Sequence, residues 1–250
     1  MNRITFCCLL VALSTMHCKS LKKQKALDHP VVQIKFHSRF EFMQPDSLTI
    51  YTFEDSNFIS YYHEKVVMKL PVTKTRLKAV KRDSVFVLTE TGEPGSIGYE
   101  YVLYNSGNST GTLYHFASTK STKVIKIDSV WKKRNSYPAN LFGSNGDSLI
   151  GIRNQGGTRI ESYINIRKPD DSYADSMHLF YSETLNHIPF SFFPDHDKKT
   201  KRKLFRIQLI YKSYFSERMS RQIPRREFLF EFEPVNVIKD EFLLNLLKKL

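Results

Sequence analysis

The chain has 250 residues, a formal net charge of +13 and three cysteines. Cys7, Cys8 and Cys18 all fall in the first eighteen positions, so the rest of the chain has no disulfide framework, no thiolate metal site and no thiol nucleophile. Its aromatic side chains (19 Phe, 13 Tyr, 1 Trp) set against 10 Gly and 10 Pro exclude a disordered or low-complexity chain.

Arg3 and the amino terminus supply a positive end, Ile4 to Leu13 a run of ten largely apolar residues, and Ser14 to Cys18 a polar exit. That is the layout of a secretory signal. Ten residues rise only about 15 Å as a helix, about half the hydrocarbon thickness of a bilayer, so the run is too short for a permanent span. A cysteine just after the apolar run resembles a bacterial lipoprotein signal. That resemblance implies that residues 1–18 direct export, that Cys18 is acylated as the first residue of the mature chain, and that the protein is anchored in a membrane of the cell envelope, facing the periplasm or the surface. Cleavage after Ser14, with Ala12 and Ser14 as the small residues, is the plain secretory alternative.

Residues 19–30 carry Lys19, Lys22, Lys23 and Lys25 with few apolar neighbours and read as an exposed basic tether. From there to residue 250 no Pro/Gly/Ser linker intervenes, and 31–250 reads as a single β-rich domain. Val31 to Met43 sets the pattern, with Val32, Ile34, Phe36, Phe40 and Phe42 on one side and Gln33, Lys35, His37, Arg39 and Glu41 on the other. A period of two over this length predicts a half-buried strand, broken on its apolar side only by Ser38.

Further strands are expected at Leu48–Phe53, Asn57–His63, Ser84–Thr89, Tyr99–Tyr104, Thr112–Ala117, Lys123–Trp131, Ser148–Arg153, Arg159–Arg167, Met177–Ser182, Leu204–Lys212 and Glu227–Glu233. About twelve strands result. Asn105 to Gly111 is a turn cluster that makes its two neighbours a hairpin. Ile160, Ile164 and Ile166 share one face of their strand, and Glu231 and Glu233 stand opposite Phe228, Phe230 and Phe232. Short connections without helical patterning disfavour parallel βαβ units, so the expected fold is a mainly β antiparallel sheet, either a sandwich or an open barrel.

One helix is expected, at residues 236–250. Ile238, Phe242, Leu243, Leu246, Leu247 and Leu250 form a single apolar stripe, with Asn236 as cap, Asp240 and Glu241 in the first turns, and Lys248 and Lys249 at the negative end. Such a stripe docks on the sheet or, alternatively, serves a membrane or partner.

Three motifs look like chemistry. Gly107-Asn108-Ser109-Thr110-Gly111 matches G-x-S-x-G, but a strand follows it, where the nucleophile elbow requires a helix, so Ser109 reads as a hairpin-loop serine. Gly146-Asp147-Ser148-Leu149 resembles the serine block of the GDSL esterases, and Asp175-Ser176-Met177-His178 their D-x-x-H block. The resemblance implies an exported serine hydrolase using Ser148 and His178, yet twenty-seven residues of β pattern between the blocks leave no room for that family's α/β domain. Asp195-His196-Asp197 is the one dense donor group and reads as a solvated turn after Pro194. The other histidines are scattered singly, and no glycine loop cradles phosphate. The sequence therefore predicts a non-enzymatic binding or scaffold protein that needs no cofactor or metal, with the esterase using Ser148 or Ser109 as the alternative.

Net charge stays at +12 once residues 1–18, whose only charged side chain is Arg3, are removed. In an envelope the available counter-charge is an anionic lipid or glycolipid, so sequence-specific nucleic-acid binding is not expected. The ligand itself is not legible.

Overall fold

The computed structural model describes residues 29–43, 50–73, 77–82, 85–90, 97–115, 123–133, 147–165, 174–217, 220–237 and 240–248. The expected signal, Cys18 and nearly all of the tether lie outside the described residues, as do Gly146, Ile166, Ile238, Lys249 and Leu250. Fifteen strands and three helices occur among those described.

The first strand, β1 (Val32–Met43), is the spine. It pairs along its whole length with β2 (Ile50–Tyr62) on one side and along eight positions with β15 (Arg226–Val235) on the other. β2 is one strand of thirteen residues. Its sequence reads as two strands because Glu54-Asp55-Ser56 breaks the apolar pattern. No Gly or Pro interrupts the backbone there, and an unbroken register with β1 holds it extended.

In chain order follow β3 (Lys65–Thr73), β4 (Leu77–Arg82), β5 (Val85–Glu90), β6 (Ile97–Asn105), β7 (Thr110–His115) and β8 (Lys123–Lys126). β9 (Asp147–Gln155), β10 (Thr158–Asn165), β11 (Ser176–Ser182), β12 (Lys203–Tyr211), β13 (Tyr214–Ser216) and β14 (Arg221–Ile223) lead to β15. Eleven of them form one antiparallel sheet in the order β8-β7-β6-β3-β2-β1-β15-β12-β11-β10-β9, while β4–β5 and β13–β14 are separate hairpins. Among the described residues there is no second sheet of comparable size to make a sandwich. The sheet is open, because β8 and β9 are edges that do not pair with each other.

One face carries the main core. Ile34, Phe36 and Phe40 of β1, Ile59 of β2, Val66, Met68 and Leu70 of β3, Leu179 of β11, Ile207 and Leu209 of β12, and Phe230 and Phe232 of β15 belong to one buried cluster. Residues 188–192 cover its centre. Phe190 and Phe192 meet Phe36 and Phe232 at ring-centroid distances of 5.1–6.0 Å, in edge-to-face or tilted contacts of the kind that add to simple burial. Ser38 interrupts this face as the alternation predicts; it is fully buried opposite Phe230, and its hydroxyl has no partner among the described residues.

Two helices were not expected. The segment Lys123–Trp131 is a strand only to Lys126; α1 (Ile127–Lys133) then turns back over the core face. It can do so because Gly111 on β7 has no side chain: a Cβ there would stand 2.8 Å from Ile127 Cδ1 and 2.9 Å from the Leu103 carbonyl oxygen. α2 (Pro194–Thr200) begins with proline in its first turn and ends at Lys201, whose φ of 55° is left-handed. Asp195-His196-Asp197 is thus the first turn of a helix, and only Asp195 is a solvated residue of the kind expected for all three.

The C-terminal helix α3 spans Glu241–Lys248 and so begins five residues later than the expected 236–250. Asn236 is not its cap. Asp240 is: its carboxylate accepts the Leu243 N–H at 3.1 Å and its carbonyl the Leu244 N–H at 3.0 Å. Leu243, Leu246 and Leu247 are buried, and Phe242 lies edge-on to Tyr101 at 4.8 Å. Tyr101 and Lys69 belong to the alternate set of β6 and β3, across the sheet from Val102, Met68 and Leu70 of the core. α3 therefore docks on the reverse face, held by Lys69 Nζ to Asp240 at 2.6 Å, Tyr101 O–H to Asp240 at 2.8 Å and Lys65 Nζ to the Leu247 carbonyl at 2.8 Å. It does not close the core face.

Candidate functional site

Towards the β9 edge the core face changes character. β10 places Arg159, Glu161 and Tyr163 on the face shared with Leu179 and Tyr181 of β11, because Arg159 pairs with Tyr181 and Glu161 with Leu179. Ile160, read from sequence as sharing a face with Ile164 and Ile166, is buried on the other face, opposite Phe180. Both sides of β10 are covered in part, so an alternation that looks like an apolar face and a wet face is nothing of the kind.

Glu161 retains 4% of its exposure and is saturated with donors. Arg159 gives Nε at 3.0 Å and Nη2 at 2.7 Å to Oε1, while the Tyr163 and Tyr181 hydroxyls donate to Oε2 at 2.8 and 3.3 Å. The Tyr181 oxygen also meets His196 Nδ1 of α2 at 3.0 Å, and the two rings stack. Asp197, the next residue, accepts the Leu204 N–H at 2.9 Å and pairs with Lys203 Nζ at 3.1 Å, which anchors α2 to β12.

Electrostatics follow from these contacts. Burial pushes the Glu161 carboxyl up, but the hydrogen bonds from Tyr163 and Arg159 and the Arg159 charge together outweigh it, so the group lies below its ordinary value. His196 is lowered, first by burial and then by Lys199 and Arg159 against the opposing pull of Glu161 and Asp197. Tyr163 and Tyr181 are pushed well up, mainly by burial and then by Glu161. At neutral pH the cluster therefore holds a fixed carboxylate, a fixed guanidinium and neutral ring groups. What this arrangement offers a ligand is hydrogen bonding.

Beside it lies an apolar lip. Leu149 of β9 is cross-strand from Tyr163, and Ile152 from Glu161. They are 49% and 49% exposed, and Ile150, at the bulge between them, is 63% exposed. Contiguous exposed aliphatics on a long edge strand with few charges are unusual in a protein that keeps to itself.

The sequence-derived esterase residues are not brought together. Ser148 pairs with Ile164 on β9, whereas His178 Nδ1 bonds Ser162 Oγ at 2.9 Å. Two strand spacings and two residues separate Ser148 from His178, roughly 12 Å between Cα atoms. Asp175 accepts the Lys212 N–H at 2.5 Å and ties β11 to β12. Ser109 lies in the β6–β7 hairpin connection, where its carbonyl accepts the Ile127 N–H at 2.9 Å. No helix begins there. Among the described residues no group of three His, Cys, Asp or Glu side chains has metal-binding geometry. The Arg159–Glu161–Tyr163 set was missed in the sequence because alternate polar residues on a strand read as solvated, and only the pairing with Leu179 and Tyr181 reveals otherwise.

No family model matches the chain, and no curated protein matches it in sequence. Two solved structures are similar in outline. One is a LolA superfamily protein from Nitrosomonas europaea, at 8% identity over 86% of this chain and 90% of that one, with a TM-score of 0.23. The other is a putative outer membrane lipoprotein-sorting protein domain from Vibrio parahaemolyticus, at 10% identity over 88% and 92%, with a TM-score of 0.26. Superpositions this loose assign neither a function nor a ligand.

Proposed function

We propose that this chain is a non-enzymatic, exported envelope lipoprotein, anchored through Cys18, whose open β-sheet binds an apolar or amphiphilic ligand at the β9 edge. The exposed lip of Leu149, Ile150 and Ile152 carries the proposal. Each of these side chains is about half exposed and so forgoes roughly half of the ~1.5–3 kcal/mol that full burial is worth, a cost that a ligand's hydrocarbon can recover. The signal layout supplies the compartment, and a basic surface of +12 beyond residue 18 favours an anionic membrane as its setting.

Binding is tested with an apolar fluorescent reporter such as N-phenyl-1-naphthylamine. The full chain should enhance its emission, and Leu149→Ser with Ile152→Ser should weaken binding several-fold while lowering the melting temperature by only a few degrees, because about half of each side chain is already exposed. Undiminished binding by the doubly substituted chain would remove the lip from the proposal. Intact-mass analysis of the membrane-extracted protein tests the anchor: an acyl increment on a chain beginning at Cys18 is expected, and a chain beginning at Thr15 without added mass would end the lipoprotein reading. A serine-directed phosphonate should leave Ser148 and Ser109 unlabelled.

A further inference from the structure

The Arg159 guanidinium is used unevenly. Nε and Nη2 both go to Glu161 Oε1, while Nη1 makes no hydrogen bond among the described residues, and the side chain keeps 33% of its exposure against 5% for Glu161. The carboxylate is therefore turned inward and satisfied, and the charge presented outward is positive. A buried carboxylate with two tyrosines behind it also fixes the guanidinium in place, so that little side-chain entropy is lost when the free edge meets an anion. On the same face Ile152 is cross-strand from Glu161 and Leu149 from Tyr163, two and four residues along β10 from Arg159, which itself pairs with Asn154.

We propose that the core face of β9–β10 is a two-part subsite for a single-chain anionic amphiphile. Arg159 Nη1 takes the phosphate or carboxylate headgroup, and Leu149 and Ile152 take the hydrocarbon next to it. From Arg159 to Tyr163 the strand advances about 13 Å, which gives a tail a shelf to lie along. Tyr163 and Tyr181 act as positioning residues through Glu161. The assignment rests on the ligand-binding reading above and adds headgroup charge as a determinant of affinity.

A paired substitution tests it without changing net charge. Arg159→Gln with Glu161→Gln removes both charges and leaves amide donors and acceptors for the tyrosines, so attraction of anions by the overall basic surface is the same in parent and variant. The full chain is titrated by calorimetry with lysophosphatidylglycerol, with lysophosphatidylcholine and with inorganic phosphate, the lipids below micelle-forming concentration. The parent should prefer the anionic lysolipid by about tenfold, the value of one charge-assisted hydrogen bond. The paired variant should lose that preference while keeping its affinity for the zwitterionic lysolipid, and Ile152→Ser should weaken both lysolipids alike.

Equal binding of the two lysolipids by the parent, or an anionic preference that survives the paired substitution, overturns the headgroup site and leaves the apolar lip standing. Inorganic phosphate binding as tightly as the anionic lysolipid would make the site one for a free anion and overturn the amphiphile. Failure to bind either lysolipid overturns this subsite together with the ligand-binding reading.

Discussion

Removing Leu247 tests how α3 is held. The eight described residues of the helix are about 12 Å long, too short to persist in water without tertiary support. Three leucines supply that support: Leu243 and Leu247 have no exposure and Leu246 has 1%. Leu247→Ala removes three buried carbons and leaves a cavity between helix and sheet, at a cost of about 2–5 kcal/mol. For a unit of this size, ~3 kcal/mol lowers the melting temperature by roughly 6–12 °C. Asn245 is exposed on the same helix, and Asn245→Ala should leave the melt unchanged or slightly higher, since alanine is the better helix former. Thermal unfolding followed by circular dichroism compares the two variants with the parent. Coincident melts for all three would mean that α3 contributes nothing to the stability of the sheet, and would refute its docking on the reverse face.

Gly111→Ala should destabilise by about 1–3 kcal/mol, because the new methyl group meets the Leu103 carbonyl, which cannot move without breaking the sheet; loss of α1 contacts should appear as faster amide exchange in residues 127–133. Asp240→Asn should cost less than Asp240→Ala, by about 1 kcal/mol in denaturant melts, since asparagine still caps α3 and still offers an acceptor to Tyr101 or Lys69. Acid should weaken the fold in steps. His196, Glu161 and Asp240 all have lowered values when folded, so the unfolded chain takes up each proton first and stability falls with pH, from about 6.5 downward for His196, then below about 4.5 for Glu161 and below about 3.8 for Asp240. Urea titrations between pH 7 and pH 3 measure the slope, and His196→Gln should flatten its upper part.

Local pattern carried most of the fold. Strands β1 and β15 were legible because a residue's neighbours two positions away share its face, and the apolar alternation runs through Val32 to Phe42, broken only at Ser38, and through Phe228 to Phe232. The stripe through Phe242, Leu243, Leu246 and Leu247 announced a helix for the same reason. Elements whose formation depends on distant partners were not legible. The middle of β2 is extended by its ladder with β1, α1 lies over a glycine sixteen residues before it, and Asp240 outcompetes Asn236 as cap because Lys69 and Tyr101 draw its carboxylate to that place.

The candidate site belongs to this second kind. The sequence by itself determined the class, an antiparallel β chain with a C-terminal helix and no cysteine beyond residue 18, because periodicity and composition are properties of the chain alone. Which side of the sheet each set of side chains faces was decided only by tertiary structure. It set α3 on the reverse face and turned Glu161 inward against Tyr163 and Tyr181. A strand's alternation states that its two faces differ; what each face meets is fixed by elements tens of residues away, whose pairing energy no local window contains.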